Sequence, residues 1–458
     1  MKKQNGSLLH AIGWFIIIIS VGLIVFFIAK LTRDQMLSVI IFTSFISGSL
    51  FYWHFRNAFA FIGLTILLGL KIVDVEHLIL FANFDIILFL AGMMIVIIFL
   101  EEKKFFDWLI YKIVIPFEER PSLIIGLILF IGTIMAALVD EVTSILFMTV
   151  ILVKILACYD IKGRKILPFL LFLIFTTNIG SSALPVGNPV GVIIAFHSGF
   201  TIEDFIRWAL PIAIITSLIT TFIGVAYLKK KTLFHHNRPL KDDLEPIPFN
   251  YDIKMASFIF ILVISGLILH SRIEELLGLE VNTMLLGVPL FIAGFTLLIS
   301  GHNASSVVAK VDWWTLLYFM CLFAAVGTLV YTGVINVLAD MITNSVTDLF
   351  SALLIIGLLV GILTAFMDNV VAVATIAPVI STLANNGLSI EPLWWILLIA
   401  GTYLGNATVI GSTANIVCIG IIEKSKIRPF SQWEWIKIGV PISLLTFFIA
   451  FGLLYIQL

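Results

Sequence analysis

The chain has 458 residues, of which 60% are hydrophobic and only 12% charged, and its mean hydropathy is +1.14. About a quarter of an ordinary globular chain is charged, so these values exclude a soluble domain of this length. The formal net charge of −1 says nothing of a nucleic-acid partner, but no domain-sized basic patch is present and none is expected.

The first apolar run, 11–29, follows Lys2 and Lys3. It exceeds the ~7–15-residue core of a signal peptide and runs into "KLTRDQ" without a small-residue cleavage site, so it reads as a retained membrane helix. A crossing needs roughly 20 apolar residues, and the next are expected near 36–53, 57–73 and 84–100. "EEKKFFDWLIYKIVIPFEER" (101–120) sets Phe105, Trp108, Leu109 and Lys112 at helical spacing, as in a helix lying in the interface. Residues 122–157 form an element that enters and leaves on one side, and crossings resume near 166–196 and 206–228. The polar stretch 229–253 holds Pro239, Pro246 and Pro248 and reads as a linker. His235 and His236 within it have no carboxylate or Cys partner at ligand spacing. Crossings follow near 254–270, 284–299 and 313–333, then a second same-side element at 349–383, then crossings at 393–422 and 438–457. Cys158, Cys321 and Cys418 lack metal-ligand spacing and read as core thiols.

Charge orients this path. With the N-terminus in the cytoplasm, 22 Lys and Arg fall inside and 5 outside, which accounts for all 27. The 229–253 linker is then cytoplasmic, the C-terminus lies outside, and the expected location is the cell (plasma) membrane.

The two halves repeat. "FDIILFLAGMMIV" from Phe84 matches "VDWWTLLYFMCLF" from Val311, "AALVDEVTSILF" matches "TAFMDNVVAVAT" from Thr364, and "ALPVGNPVGV" from Ala183 matches "ATVIGSTANI" from Ala407. The offsets are 227, 228 and 224, and they pair Asp140 with Asp368 and Gly187 with Gly411. Lys and Arg flank the interrupted elements of the first half, whereas 334–350 and 384–392 contain none, so the halves have opposite orientations. The expected fold is an all-α polytopic membrane protein of two inverted-topology repeats, each with a re-entrant hairpin and an unwound transmembrane helix. Its divisions are an N-terminal helix (1–35), a first repeat (36–228), the linker (229–253) and a second repeat (254–458).

Three blocks carry chemistry. Asp140 and Glu141 lie side by side in an apolar run, and intramembrane acids are functional by default. Adjacent buried carboxyls resist ionising together, so one of them is a candidate to carry a proton. "SSALPVGNPVG" (181–191) puts Pro185, Gly187, Pro189 and Gly191 where a helix must break. Broken backbone at membrane depth is tolerated only inside protein or beside a watery cavity. Its mate, "LGNATVIGSTAN" (404–415), is dense in Asn, Thr and Ser oxygens. Asp140 and Asp368 are also good N-caps for the second arms of the hairpins.

These blocks, with "AFMDNVVAVATIAPVI", resemble the ion transporter superfamily, in particular its arsenite-permease and sodium–proton-antiporter branch, with citrate and dicarboxylate transporters as relatives. The resemblance implies a scaffold domain and a transport domain moving across the membrane, usually in a homodimer. Carried over, the first hairpin tip is Asp140 to Ser144, the second is Asp368 with Asn369, and the breaks are Gly187 to Gly191 and Thr408 to Asn415. The substrate- or ion-binding candidates are therefore Asp140, Glu141, Thr143, Ser144, Gly187, Asn188, Asp368, Asn369, Thr408, Ser412, Thr413 and Asn415. Glu141 and Asp140 are the proton-carrier candidates, with Glu141 preferred. The branch usually has Asp-Asn-Val-Thr at the first tip and Pro-Pro-Asn ending the first break; this chain has Glu141 for that Asn and Gly191 for the second.

No Lys or Arg lies in the motif blocks, which favours a small inorganic cargo over a polyanion. The expected function is a secondary active transporter coupled to H+ or Na+, moving a small inorganic ion or oxyacid, as in arsenite efflux, by alternating access. Sodium–proton antiport and sodium-coupled carboxylate or sulfate transport are the alternatives. No cofactor and no metal site are expected. An enzyme would show a nucleophile or metal cluster in the membrane segments, and none is present there. A passive channel would not need broken helices in inverted repeats.

Overall fold

The computed structural model describes residues 31–117, 120–231, 247–385, 389–424 and 427–458, with isolated positions 16, 18 and 20. All of the expected helix at 11–29 but positions 16, 18 and 20, most of the linker and the pair His235 and His236 lie outside the described residues. Helices and no strand are found among those described.

In chain order the helices are α1 (Arg33–Phe51), α2 (Arg56–Gly69), α3 (Val75–Leu80), α4 (Phe84–Glu102) and α5 (Phe105–Val114). There follow α6 (Pro121–Leu138), α7 (Glu141–Cys158), α8 (Leu167–Gly180), α9 (Pro189–Ser198) and α10 (Ile202–Lys231). Beyond the linker come α11 (Tyr251–Leu277), α12 (Thr283–Ser300), α13 (Ala304–Ala309), α14 (Trp313–Tyr331) and α15 (Val334–Ser345). The last are α16 (Leu349–Phe366), α17 (Asn369–Asn385), α18 (Glu391–Tyr403), α19 (Thr413–Lys424) and α20 (Gln432–Gln457). Nine helices among the described residues are long and apolar enough to cross a membrane. They include both arms of the first expected hairpin, α6 and α7, at 18 residues each. Such an arm is about 27 Å long at 1.5 Å per residue. Length therefore permits it to cross, and the same-side reading rests on charge.

The short helices α3 and α13 were not anticipated, because each has only 6 residues, includes polar ones (Glu76 and His77, Ser305 and Ser306) and lies beside a longer apolar run. The amphipathic element within 101–120 was, and the second half has a counterpart in α15. α5 buries Phe105, Phe106, Ile110 and Val114, and α15 buries Val334, Ile335, Ala339 and Ile342. Of the Phe105–Trp108–Leu109–Lys112 stripe read as interfacial, Phe105 is buried, Trp108 and Leu109 are half-buried and Lys112 is exposed.

The chain forms two compact units, each drawing on both sides of the 229–253 linker. The first comprises 1–90, 312–355 and 374–390, and the second 91–311, 356–373 and 391–458. In the first unit α14 packs on α1, α2 and α3. Arg56, 7% exposed, lies over the rings of Trp53 and Tyr318 and donates to Thr315 Oγ1 at 2.8 Å. Gly327 lets α14 meet Phe81, whose ring would lie 2.2 Å from an added Cβ.

In the second unit α8 and α18 form the centre. Every residue of α8 except Pro168 is buried, as is every residue of α18 from Pro392 onward. A helix apolar all round belongs inside. α8 packs on α6, α7 and α10, and α18 on α9 and α20. Each of these two central helices leads directly into one of the expected breaks.

Candidate functional site

The candidate site residues all belong to the second unit. α8 ends at Gly180, an isolated 3₁₀ turn spans Pro185–Gly187, and Leu184 and Asn188 are extended before α9 begins. α18 ends at Tyr403, a 3₁₀ turn spans Leu404–Ala407, and Thr408 is extended before α19 begins at Thr413. Both predicted breaks are present. Pro189 sits at the first position of α9, where the missing N–H costs nothing.

The breaks share one close contact. A Cβ on Gly187 would lie 2.3 Å from the Ser181 carbonyl oxygen and 2.8 Å from that of Ala136. A Cβ on Gly411 would lie 2.4 Å from the Gly405 carbonyl oxygen and 2.8 Å from that of Thr364. Ser181 and Gly405 are 224 positions apart, as are the two glycines, and Ala136 and Thr364 are 228 apart. The sequence offsets therefore recur as one packing arrangement, in which each unwound segment rests on the first arm of its own hairpin.

The acids stand at helix starts. Asp140 is extended (φ −178°, ψ 163°) and its Oδ1 accepts from the N–H groups of Val142 and Thr143, both at 2.8 Å. It meets two donors that the first turn of α7 leaves open. Asp368 accepts from Val370 N–H at 3.0 Å through Oδ1 and from Thr413 Oγ1 at 2.7 Å through Oδ2. That second bond ties the second tip to the start of α19. Asp140→Asn is expected to keep its cap, whereas Asp140→Ala loses about 0.5–2 kcal/mol; thermal melts of the detergent-solubilised chain separate the two.

Glu141 opens α7 and is 1% exposed. Ser181 Oγ lies 3.2 Å from its Oε2 and Ser412 Oγ 3.3 Å from its Oε1, so one carboxyl touches both breaks. Asn188 caps α9 through Gly191 N–H at 2.8 Å and donates to Ser181 Oγ at 2.6 Å. Asn415 donates to the carbonyls of Gly405 and Thr408. Thr408 itself donates to the Ala365 carbonyl at 3.0 Å, a structural bond to the end of α16.

Two further predicted residues carry buried polar atoms with no hydrogen-bond partner among the described residues, Ser144 Oγ and Asn369 Nδ2. The Asn369 amide is oriented by Val370 N–H, which donates to its Oδ1 at 3.0 Å, so the unmet atom is the NH2 group.

The structure thus joins Glu141, Asn188, Ser412 and Asn415 in one cluster and Asp368 with Thr413 beside it. Asp140 and Thr143 serve the cap of α7, and Gly187 acts through its lack of a side chain. Three residues of the cluster were not predicted as binding residues: Asn178, Ser181 and Asn406. Asn178 donates to Asn406 Oδ1 at 2.7 Å and Asn415 Oδ1 at 2.9 Å, and all three amides are 0% exposed. The signal was available as "TTN" (176–178) closing an apolar run one turn before Ser181. Among the described residues no group of three His, Cys, Asp or Glu side chains is placed to hold a metal ion.

A polytopic helical protein whose two most buried helices break opposite a buried carboxyl has the build of a membrane transporter. Comparison with known proteins agrees. The citrate transporter profile (CitMHS) matches residues 49–400, and the chain belongs to that family. This is a branch related to the one its motifs resemble. The uncharacterized transporter Rv2684 of Mycobacterium tuberculosis is 29% identical over 385 residues, covering 82% of this chain and 86% of that one. The human P protein is 23% identical over 454 residues, covering 81% of this chain and 53% of its own length. The crystal structure of the YdaH transporter of Alcanivorax borkumensis superposes with a TM-score of 0.56 at 12% identity, over 93% of this chain and 98% of that one, a likeness of fold.

Proposed function

We propose that this transporter is a secondary active carrier that couples protons to the movement of a small oxygen-bearing cargo, an oxyacid or oxyanion, by alternating access. The observation that carries this reading is the pairing of a buried carboxyl with unmet buried donors. Glu141 supplies a group that can hold one proton, and Asn369 Nδ2 can only donate. A buried N–H without a partner is costly, and a cargo oxygen would satisfy it where a bare cation would not. The same argument supports the Ser144 hydroxyl as a second contact.

The charge bias supports a plasma-membrane protein with the N-terminus and the 229–253 linker in the cytoplasm, the C-terminus outside and the two halves inverted. The resemblance to the superfamily supports a homodimer. A carboxylate cargo is the second reading, favoured by the family to which the chain belongs. Without Lys or Arg in the motif blocks, such an anion would be held by amides, hydroxyls and helix N-termini. Sodium–proton antiport is the third, and it needs no donor at Asn369.

Solid-supported-membrane currents from proteoliposomes challenged with sodium, arsenite, sulfate and citrate at pH 6 and pH 8 test the proposal. Asn369→Asp replaces the donor by an acceptor. It is expected to weaken an oxyanion or oxyacid current about tenfold or more, since an unmet charged contact outweighs a lost hydrogen bond. A sodium current that survives or strengthens in Asn369→Asp would move the function to antiport.

A further inference from the structure

We propose that Asn178, with Ser181 and Ser412, is a relay through which the hydrogen-bonding sense of the Glu141 carboxyl sets the grip on the second unwound segment. The proposal rests on the reading of Glu141 as the group that gains and loses a proton, and it names the positioning residues that carry the change onward.

Both serines that face Glu141 have a second acceptor on Asn178. Ser181 Oγ lies 2.8 Å from its carbonyl oxygen and Ser412 Oγ 3.4 Å from its Oδ1. A hydroxyl owns one proton. Each serine therefore donates to Glu141 or to Asn178, and not to both at once. An ionised carboxylate only accepts, so it draws both hydroxyls to itself. A neutral carboxyl has one O–H to give, and the serine that accepts it must turn its own proton to Asn178. The remaining contacts allow either setting, because Asn188 Nδ2 and Ala414 N–H donate to Ser181 and Ser412 respectively in both.

Asn178 transmits the turn. Its two amide protons go to Asn406 and Asn415, and both amide protons of Asn415 go to the Gly405 and Thr408 carbonyls, which the break has freed from helical bonding. Ser412 is the serine that reaches this side chain, and its hydroxyl arriving at or leaving Asn178 Oδ1 changes how firmly the amide holds Asn415, and so how firmly those carbonyls are held. Ser181 sets which of the two serines receives the Glu141 proton. The path from Glu141 to the second unwound segment is made wholly of side chains that are 0–1% exposed, where no water competes for the bonds. The other acids that face Glu141 are Asp140 and Asp368. Of the helices packed on α7, α6 and α8 contain no ionisable side chain, and α19 contributes Cys418, Glu423 and Lys424 beyond its first turn.

The test is hydrogen–deuterium exchange of residues 404–412, at one fixed alkaline pH at which the natural carboxyl is ionised, on the full chain in lipid nanodiscs. Glu141→Gln keeps an acceptor oxygen and adds a permanent donor, so it fixes the neutral sense without titration. It is expected to change the exchange rate of 404–412 about tenfold in the natural background, a typical size for coupled neighbours, and less than about twofold when Ser181→Ala and Ser412→Ala are both present. An equal effect in both backgrounds, or none in either, overturns the relay. Should the double-alanine chain fail to fold, Ser412→Ala alone serves, because Ser412 is the serine that meets the Asn178 side chain; at least half of the logarithmic effect must then vanish. The pH dependence of cargo current in Glu141→Gln judges the proton reading separately. Current that stays pH-dependent removes that reading, while the exchange cycle still decides the relay.

Discussion

Glu141→Gln is expected to leave a folded protein whose cargo current no longer responds to pH. The side chain is buried against two hydroxyls, each of which can donate or accept, so an amide of the same shape finds partners at both positions. What it cannot do is change its charge. Coupling between two bound species is reciprocal and typically changes affinity about 5–150-fold. A carrier whose proton site is Glu141 should therefore show that factor between pH 6 and pH 8 in apparent cargo affinity, and lose it in the variant. The direction follows from the coupling mode: in symport the affinity falls as pH rises, and in antiport it rises. Asp368→Asn is the informative companion. Asp368 gives one oxygen to Val370 N–H and the other to Thr413, so its loss should lower current at every pH without flattening the pH profile. A pH response that persists in Glu141→Gln and vanishes in Asp368→Asn would transfer the proton to the second tip.

The difference between the two acids shows what a sequence can and cannot reveal here. Apolar helices, their breaks and the turns before Glu141 and Asn369 were legible because membrane solvation makes them so. An apolar run must be a helix, and Pro with Gly inside it must break one. The recurrence of the breaks was legible because the motifs that make them lie at nearly constant offset. The roles within the site were less so. Asp140 and Glu141 are neighbours in the chain, but at the start of a helix adjacent residues diverge. Asp140 turns back onto its own N–H groups while Glu141 enters the core, a distinction that the cap geometry makes and the pair of letters does not. Asn178 was missed for a related reason. It lies in the unbroken part of α8, outside every block with turn chemistry, and its importance comes from Asn406 and Asn415, more than 220 residues away. The protein-facing side of α5 was not legible without its tertiary neighbours, since Phe106 packs on Phe147 and Phe105 on Phe260.

Gly187→Ala and Gly411→Ala are expected to be among the most destabilising single-methyl changes at the described glycines, and by similar amounts. Neither glycine is needed for its backbone angles, since neither has a positive φ. Each is needed for space. The added carbon would sit 2.3 Å and 2.4 Å from a carbonyl oxygen of its own unwound segment and, in both cases, 2.8 Å from a carbonyl of the hairpin arm beside it. Side chains can swing away from such an intrusion; these are backbone atoms on elements packed from both sides. Overpacking of a core costs about 1–3 kcal/mol, and relief here requires separating the break from its hairpin, which places both variants at the upper end. Gly420→Ala in α19 supplies the opposite sign. Nothing lies within 4 Å of its added carbon, so the change should stabilise by about 0.5–1 kcal/mol. Melting of the three variants in detergent, followed by fluorescence-detected size exclusion, gives the comparison. Equal losses at Gly187 and Gly411 with a gain at Gly420 would establish that the two halves share one packing solution. A tolerated Gly187→Ala would mean that the first break, the one with Pro185 and Pro189 already fixing its backbone, moves independently of the hairpin it rests on.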